Sequence, residues 1–133
     1  MKTIRFLIFI GLIQCFFSCD NSKEDSNIVD ITVKNNSDKN IDLLYFTTFE
    51  NNSKSTDFSV DTSNQIQFDF KFSKNTKGDG TYSLYYSYFN SMDTLKYSVS
   101  YYTNGIPMES KLIINFLTDS IEVTRTYRDF GIY

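Results

Sequence analysis

The chain has 133 residues, with 13 Lys and Arg against 16 Asp and Glu for a formal charge of −3, no His, no Trp, one Pro and two Cys. That length bounds it to one small domain, and the missing His excludes Ser-His-Asp and Cys-His catalysis and His-based zinc sites within the chain. Its basic residues form no stripe: Lys34, Lys39, Lys71, Lys74 and Lys77 stand among Asn, Ser and Asp, which argues against a nucleic-acid partner.

Taken in chain order, the first element carries Lys2 and Arg5, then an apolar run from Phe6 to Ile13, then Gln14, Cys15, Phe16, Phe17, Ser18 and Cys19. This three-part layout is that of a secretory signal. The apolar run falls short of the roughly 20 residues that cross a bilayer as a helix. Phe16-Phe17-Ser18-Cys19 resembles the lipobox of bacterial lipoproteins, with Ser18 as the small residue before the cut and Phe16 in place of the more usual Leu, Val or Ile. The resemblance implies that residues 1–18 are a signal peptide cut by signal peptidase II. Cys19 then becomes the first residue, bearing a thioether-linked diacylglycerol and a further acyl chain on its amine, and several chains anchor stably where one is marginal. Cys15, preceded by Gln14, is a poor rival. No Cys follows Cys19, so the exported domain is expected to be held by its core without disulfides.

Residues 19–27 are the expected anchor and tether, since Asp20 to Asn27 holds no apolar residue. Lys23-Glu24-Asp25, a few residues after the lipidated Cys, is similar to the export signal of surface lipoproteins in the Bacteroidota lineage. That similarity implies an outer-membrane location with the domain facing outward, and a periplasm-facing location is the alternative. Removing residues 1–18, which carry Lys2 and Arg5, leaves 115 residues and moves the formal charge from −3 to −5.

Residues 28–133 read as strands, because the apolar period is two and the segments are bounded by Asn, Asp, Ser and Gly clusters. Val29, Ile31 and Val33 alternate with Asp30, Thr32 and Lys34. The stretch from Ile41 to Phe49 is apolar on both faces, as in a central strand or one beneath a loop. Gln65 to Ser73 is the clearest strand, with Ile66, Phe68, Phe70 and Phe72 inward. In Thr81 to Phe89 the inner set is Tyr82, Leu84, Tyr86 and Tyr88. Leu95, Tyr97, Val99 and Tyr101 continue the pattern. Asn104-Gly105 is a type I′ hairpin signal, and Pro107 marks an edge or a strand start. Lys111 to Thr118 is apolar on both faces. Ile121, Val123 and Tyr127 form a last inward set that Arg125 interrupts, with its guanidinium expected at the wet rim of the core. No segment has a helical period. Seven or eight strands in this length predict an all-β, antiparallel, immunoglobulin-like β-sandwich, with a small closed β-barrel as the alternative. Nine Phe and ten Tyr supply its core.

The chemistry-bearing candidates are few. Glycoside hydrolysis needs two paired acids, but Asp119 and Glu122, three apart at a hairpin, fall on opposite faces of a strand, and Asp57 and Asp61 flank a short segment with nothing to set one apart from the other, so solvated turn residues are the expectation. Lys77-Gly78-Asp79-Gly80 lacks the ending of a phosphate loop and the acid spacing of a calcium loop. No metal site and no cofactor is expected. Tyrosine is the one enrichment: with Tyr86 and Tyr101 inside, Tyr85 and Tyr102 fall outside, where rings stack on sugars or anchor a protein. Asp93-Thr94-Leu95 and Asp119-Ser120-Ile121 are similar to the O-glycosylation motif of exported Bacteroidota proteins, which implies modification at Thr94 and Ser120. The expectation is a lipid-anchored, non-enzymatic binding or adhesion module with a protein or glycan ligand, against an envelope assembly or inhibitor protein, or a hydrolase.

Overall fold

The computed structural model describes residues 26–76 and 78–130, so the readings on Ser18, Cys19, Lys23, Glu24 and Asp25 lie outside the described residues. Among the described residues nine strands follow in chain order: β1 Ile28–Asn35, β2 Ile41–Thr48, β3 Phe58–Val60, β4 Gln65–Lys71, β5 Gly80–Tyr88, β6 Leu95–Thr103, β7 Ile106–Pro107, β8 Glu109–Phe116 and β9 Ile121–Tyr127. They form two sheets, one in the order β4-β1-β8-β9 and one in the order β3-β2-β5-β6-β7. The fold is therefore an all-β sandwich. Each sheet is a separate ladder with its own two edges, which a closed barrel would lack.

Consecutive strands β1 and β2 lie in opposite sheets, as do β4 and β5, while β1 pairs with β4 and β2 pairs with β5. Strands B, C, E and F of an immunoglobulin sandwich are related in the same way. One ladder departs from the antiparallel expectation: β1 also pairs in parallel with β8, from Asp30 opposite Lys111 to Asn35 opposite Phe116. A parallel partner demands a long crossover. Here the connection passes through the whole second sheet.

Alternation places Val29, Ile31, Val33, Phe70, Leu112, Ile114 and Phe116 of one sheet against Leu44, Phe46, Tyr82, Leu84 and Val99 of the other, all buried. Aromatic rings knit the layers. Phe72 meets Tyr82 at 5.3 Å and Tyr102 at 5.4 Å, both edge-on, and Phe46 meets Phe68 at 5.7 Å. Such pairs add about 0.5–1.5 kcal/mol beyond the area they bury. The turns behave as their residues require: Asn104 and Gly105 have φ of 52° and 74°, the two positive values of a type I′ hairpin.

The registers define two ends. Ile28 lies opposite Lys71 and Asn35 close to Phe116, so β1 runs from a near end, where the N-terminal segment joins, to a far end about 25 Å away. Residues 36–40, 61–64, 89–94 and 117–120 turn at the far end. Residues 104–105 and 128–130 lie at the near end.

Two β-bulges there correct the sequence reading. In β6, Tyr82 pairs with Ser100 but Ser83 pairs with Ser98, so Val99 is an extra residue. A bulge shifts the alternation by one. Tyr102 is consequently fully buried and Tyr101 is 52% exposed, the reverse of the expected pair. In β8, Glu109 pairs with Tyr127 but Lys111 with Thr126, which leaves Ser110 extra. Leu112, Ile114 and Phe116 point inward, and the bulge turns Glu109 inward as well. Arg125 is half-buried at the rim between the sheets, and its Nη2 donates to the carbonyl of Val99, the bulge residue, at 2.7 Å. Tyr127, expected inside, stands largely in solvent on the edge strand.

Candidate functional site

The bulges build a polar node between the sheets at the near end. Glu109, 1% exposed, accepts a hydrogen bond from Tyr82 Oη at 2.7 Å on Oε2 and another from Ser100 Oγ on Oε1. Burial first, and then the neighbouring Glu109, pushes the Tyr82 hydroxyl far above its ordinary range. The carboxylate and the phenol are sealed in the core, so no substrate reaches them. Their chemistry serves the fold. Nothing in the sequence marks Glu109 as buried, since the apolar stretch it precedes, Lys111 to Thr118, reads as a strand without it.

Tyr85 lies on the outer face of its sheet, as expected, but not as an open platform. Its ring stacks on Tyr45 at 5.1 Å and 1° between planes. Lys54 covers the Tyr45 ring at 4.1 Å, and Lys96 lies 5.6 Å from the Tyr85 centroid. The four side chains form one ladder across neighbouring segments in which ring meets ring and each outer face meets an ammonium. With Tyr102 buried and Tyr85 stacked in this ladder, neither candidate aromatic offers a free face.

The aromatic surface lies instead at the far end. Tyr86 and Tyr88 at the end of β5, Tyr97 in β6, and Thr118, Asp119, Ser120 and Ile121 of the β8–β9 turn line a cleft of about 310 Å³ between the two sheets. The cleft is anchored in the core. Phe116 meets Tyr86 edge-on at 4.9 Å, and Tyr86 meets Tyr88 edge-on at 5.6 Å. Burial raises the pKa of both Tyr86 and Tyr88, with Tyr86 and Asp38 adding to the effect on Tyr88, so both hydroxyls stay neutral donors at physiological pH. The turn is held by Leu117 N–H donating to the Ser120 carbonyl at 2.9 Å.

Asn35 fastens the neighbouring far-end loops. Fully buried, it donates from Nδ2 to the carbonyls of Lys39 and Val60, both at 2.9 Å, and accepts on Oδ1 from Ser37 Oγ at 2.6 Å. Asn40 extends the frame, accepting from Thr62 N–H on Oδ1 and from Phe89 N–H on its carbonyl, each at 2.9 Å. Beside this frame Phe89, Met92 and Leu95 are exposed on one hairpin. Thr94 and Ser120, the residues of the two glycosylation-like motifs, are both exposed at this end. Sequence alternation identified Tyr86 and Tyr88 as inward-facing. It could not show that their ends emerge beside the Asp119-Ser120 turn, because that depends on which strands face each other.

Among the described residues no group of three or more His, Cys, Asp and Glu gathers as a metal site, and no helix is long and apolar enough to cross a membrane. No family model and no curated protein matches the chain. Among solved structures, it is similar to a protein from Eubacterium rectale determined by NMR, at a TM-score of 0.49 and 10% identity over 83% of this chain and 99% of that one.

Proposed function

We propose that the protein is a lipid-anchored, outward-facing envelope module without enzymatic activity that binds a glycan in the far-end tyrosine cleft. The observation that carries this reading is the composition of the cleft, where Tyr86, Tyr88 and Tyr97 stand beside Thr118, Asp119 and Ser120. A sugar ring presents an apolar C–H face and a rim of hydroxyls. Tyrosine rings suit the first, while a carboxylate and hydroxyls suit the second. The anchor reading, with Cys19 acylated and Lys23-Glu24-Asp25 directing export, puts this cleft at the end remote from the membrane. Intact mass of the membrane-extracted protein is expected to begin at acylated Cys19, with the domain shaved from whole cells by protease. Binding to a panel of immobilised polysaccharides is expected, with at least a tenfold loss in Tyr97→Ala and Asp119→Asn. A folded, acylated protein that binds no glycan on the panel, or whose binding ignores both substitutions, removes the cleft from the account.

A second reading is a protein partner, favoured by the exposed Phe89, Met92 and Leu95 on the β5–β6 hairpin. Crosslinking from Ser91→Cys to a discrete protein, abolished by Met92→Ser, would support it over the glycan.

A further inference from the structure

We infer that the near end of the sandwich is itself a membrane contact, whose apolar groove rests on a lipid interface and orients the domain. The inference rests on the lipid-anchor reading of Cys19 and is independent of what the far-end cleft binds.

The groove, about 310 Å³ in volume, is lined by Tyr101, Thr103, Asn104, Ile106, Met108 and Phe130. Tyr101 and Phe130 are about half exposed, and Phe49 and Tyr127 at the same end are more so. Four accessible aromatic rings at one end of a small domain are a substantial apolar surface. Rings with polar neighbours, here Thr103 and Asn104, suit the boundary between headgroups and acyl chains.

The point where the chain enters the domain identifies the occupant. Arg128 donates from Nη2 to the carbonyl of Ile28, the first residue of β1, and its N–H donates to the carbonyl of Met108 at 3.0 Å. The entry point is thus tied through one residue to the lining of the groove. Cys19 stands nine residues before Ile28, and nine residues reach at most about 32 Å. An acylated Cys19 therefore holds these rings close to the bilayer at high effective concentration. Weak individual affinity for the interface suffices.

The test uses the full acylated protein, purified from membranes and placed in phosphatidylethanolamine and phosphatidylglycerol vesicles. An acylated Cys19 has no free thiol, so Thr103→Cys accepts a polarity-sensitive dye at one position, with Ser91→Cys at the far end as its counterpart. The dye on Thr103→Cys is expected to shift to the blue and to be quenched by lipid-borne quenchers, while the dye on Ser91→Cys reports water. Adding Tyr101→Ser and Phe130→Ser is expected to abolish the shift without loss of fold, since both side chains are half exposed. An acylated protein whose Thr103→Cys dye stays in water overturns the inference and leaves the anchor standing. A protein with no acyl mass overturns both. A shift that disappears when the protein is diluted with lipid assigns the groove to a second copy of the chain and also overturns it.

Discussion

Two buried tyrosines show how one hydroxyl can stabilise and another cost. Tyr82 Oη has Glu109 as its partner, whereas Tyr102 Oη is buried with no hydrogen-bond partner among the described residues. Tyr82→Phe leaves a buried carboxylate oxygen without its donor and is expected to lower stability by about 1–3 kcal/mol. The same substitution at Tyr102 removes an unpaired polar atom and is expected to be neutral or to stabilise by up to about 1 kcal/mol. Urea unfolding of the two variants checks the opposite signs. Equal losses would show that the hydroxyl of Tyr102 is paired after all. Gly80 belongs to the same environment, because a Cβ there would stand 2.5 Å from Tyr102 Oη and 2.7 Å from its Cζ. The ring fits only against a residue without a side chain. These tyrosines also set a pH limit. Burial raises Tyr82, Tyr86, Tyr88 and Tyr102 in the folded state, so as pH rises past about 10 the unfolded chain releases protons that the folded chain retains. Their contribution is intact below pH 10 and is lost above it. The urea midpoint is expected to fall steeply above pH 10, and less steeply in Tyr82→Phe.

Among the elements, β6 and β9 are joined by Arg125, which reaches from one sheet to the carbonyl of Val99 in the other. A second, longer bond runs from Nη1 to the Val123 carbonyl at 3.4 Å. Arg125→Met is expected to cost about 1–3 kcal/mol by leaving the bulge carbonyl without its donor. Arg125→Lys is expected to restore only part, because an ammonium lacks the planar fork. Thermal or urea unfolding of both variants tests this, and full recovery in the Lys variant would reduce the clamp to a charge effect. The bulge is also where the sequence stopped being readable. Val29, Ile31 and Val33, or Ile66, Phe68, Phe70 and Phe72, declare their buried face because nothing interrupts the period of two. In β6 the period runs through Tyr97 and Val99 and then slips by one. Sequence carries no mark of that slip, since Tyr101 and Tyr102 are identical residues and either could have been inside. The candidate site inherited the error. Alternation puts Tyr85 on the correct face, but its stacking on Tyr45 follows from the β2–β5 register, a pairing of residues forty apart that no local pattern encodes.

At the scale of the whole molecule, β8 completes both the first sheet and the core. It supplies Leu112, Ile114 and Phe116, all fully buried, and the parallel partner of β1. A chain ended after Pro107 is expected to lack cooperative unfolding and protection of the β1 amides from hydrogen exchange, although seven of the nine strands among the described residues precede that point. Native-like protection in such a chain would mean that β1 is held by β4 alone. The far-end cleft would vanish with it, because one of its walls is the turn after β8, from Thr118 to Ile121.

The interior position of β1 has a mechanical consequence. A chain held at its N-terminal side and drawn from the far end transmits the pull along β1, parallel to the strand and across the ladders to β4 and β8 together. In that direction the hydrogen bonds of both ladders are sheared as a group, whereas an edge strand such as β9 is held by the single ladder to β8. The strand that enters the domain first is thus the one that two ladders hold against a pull along its length.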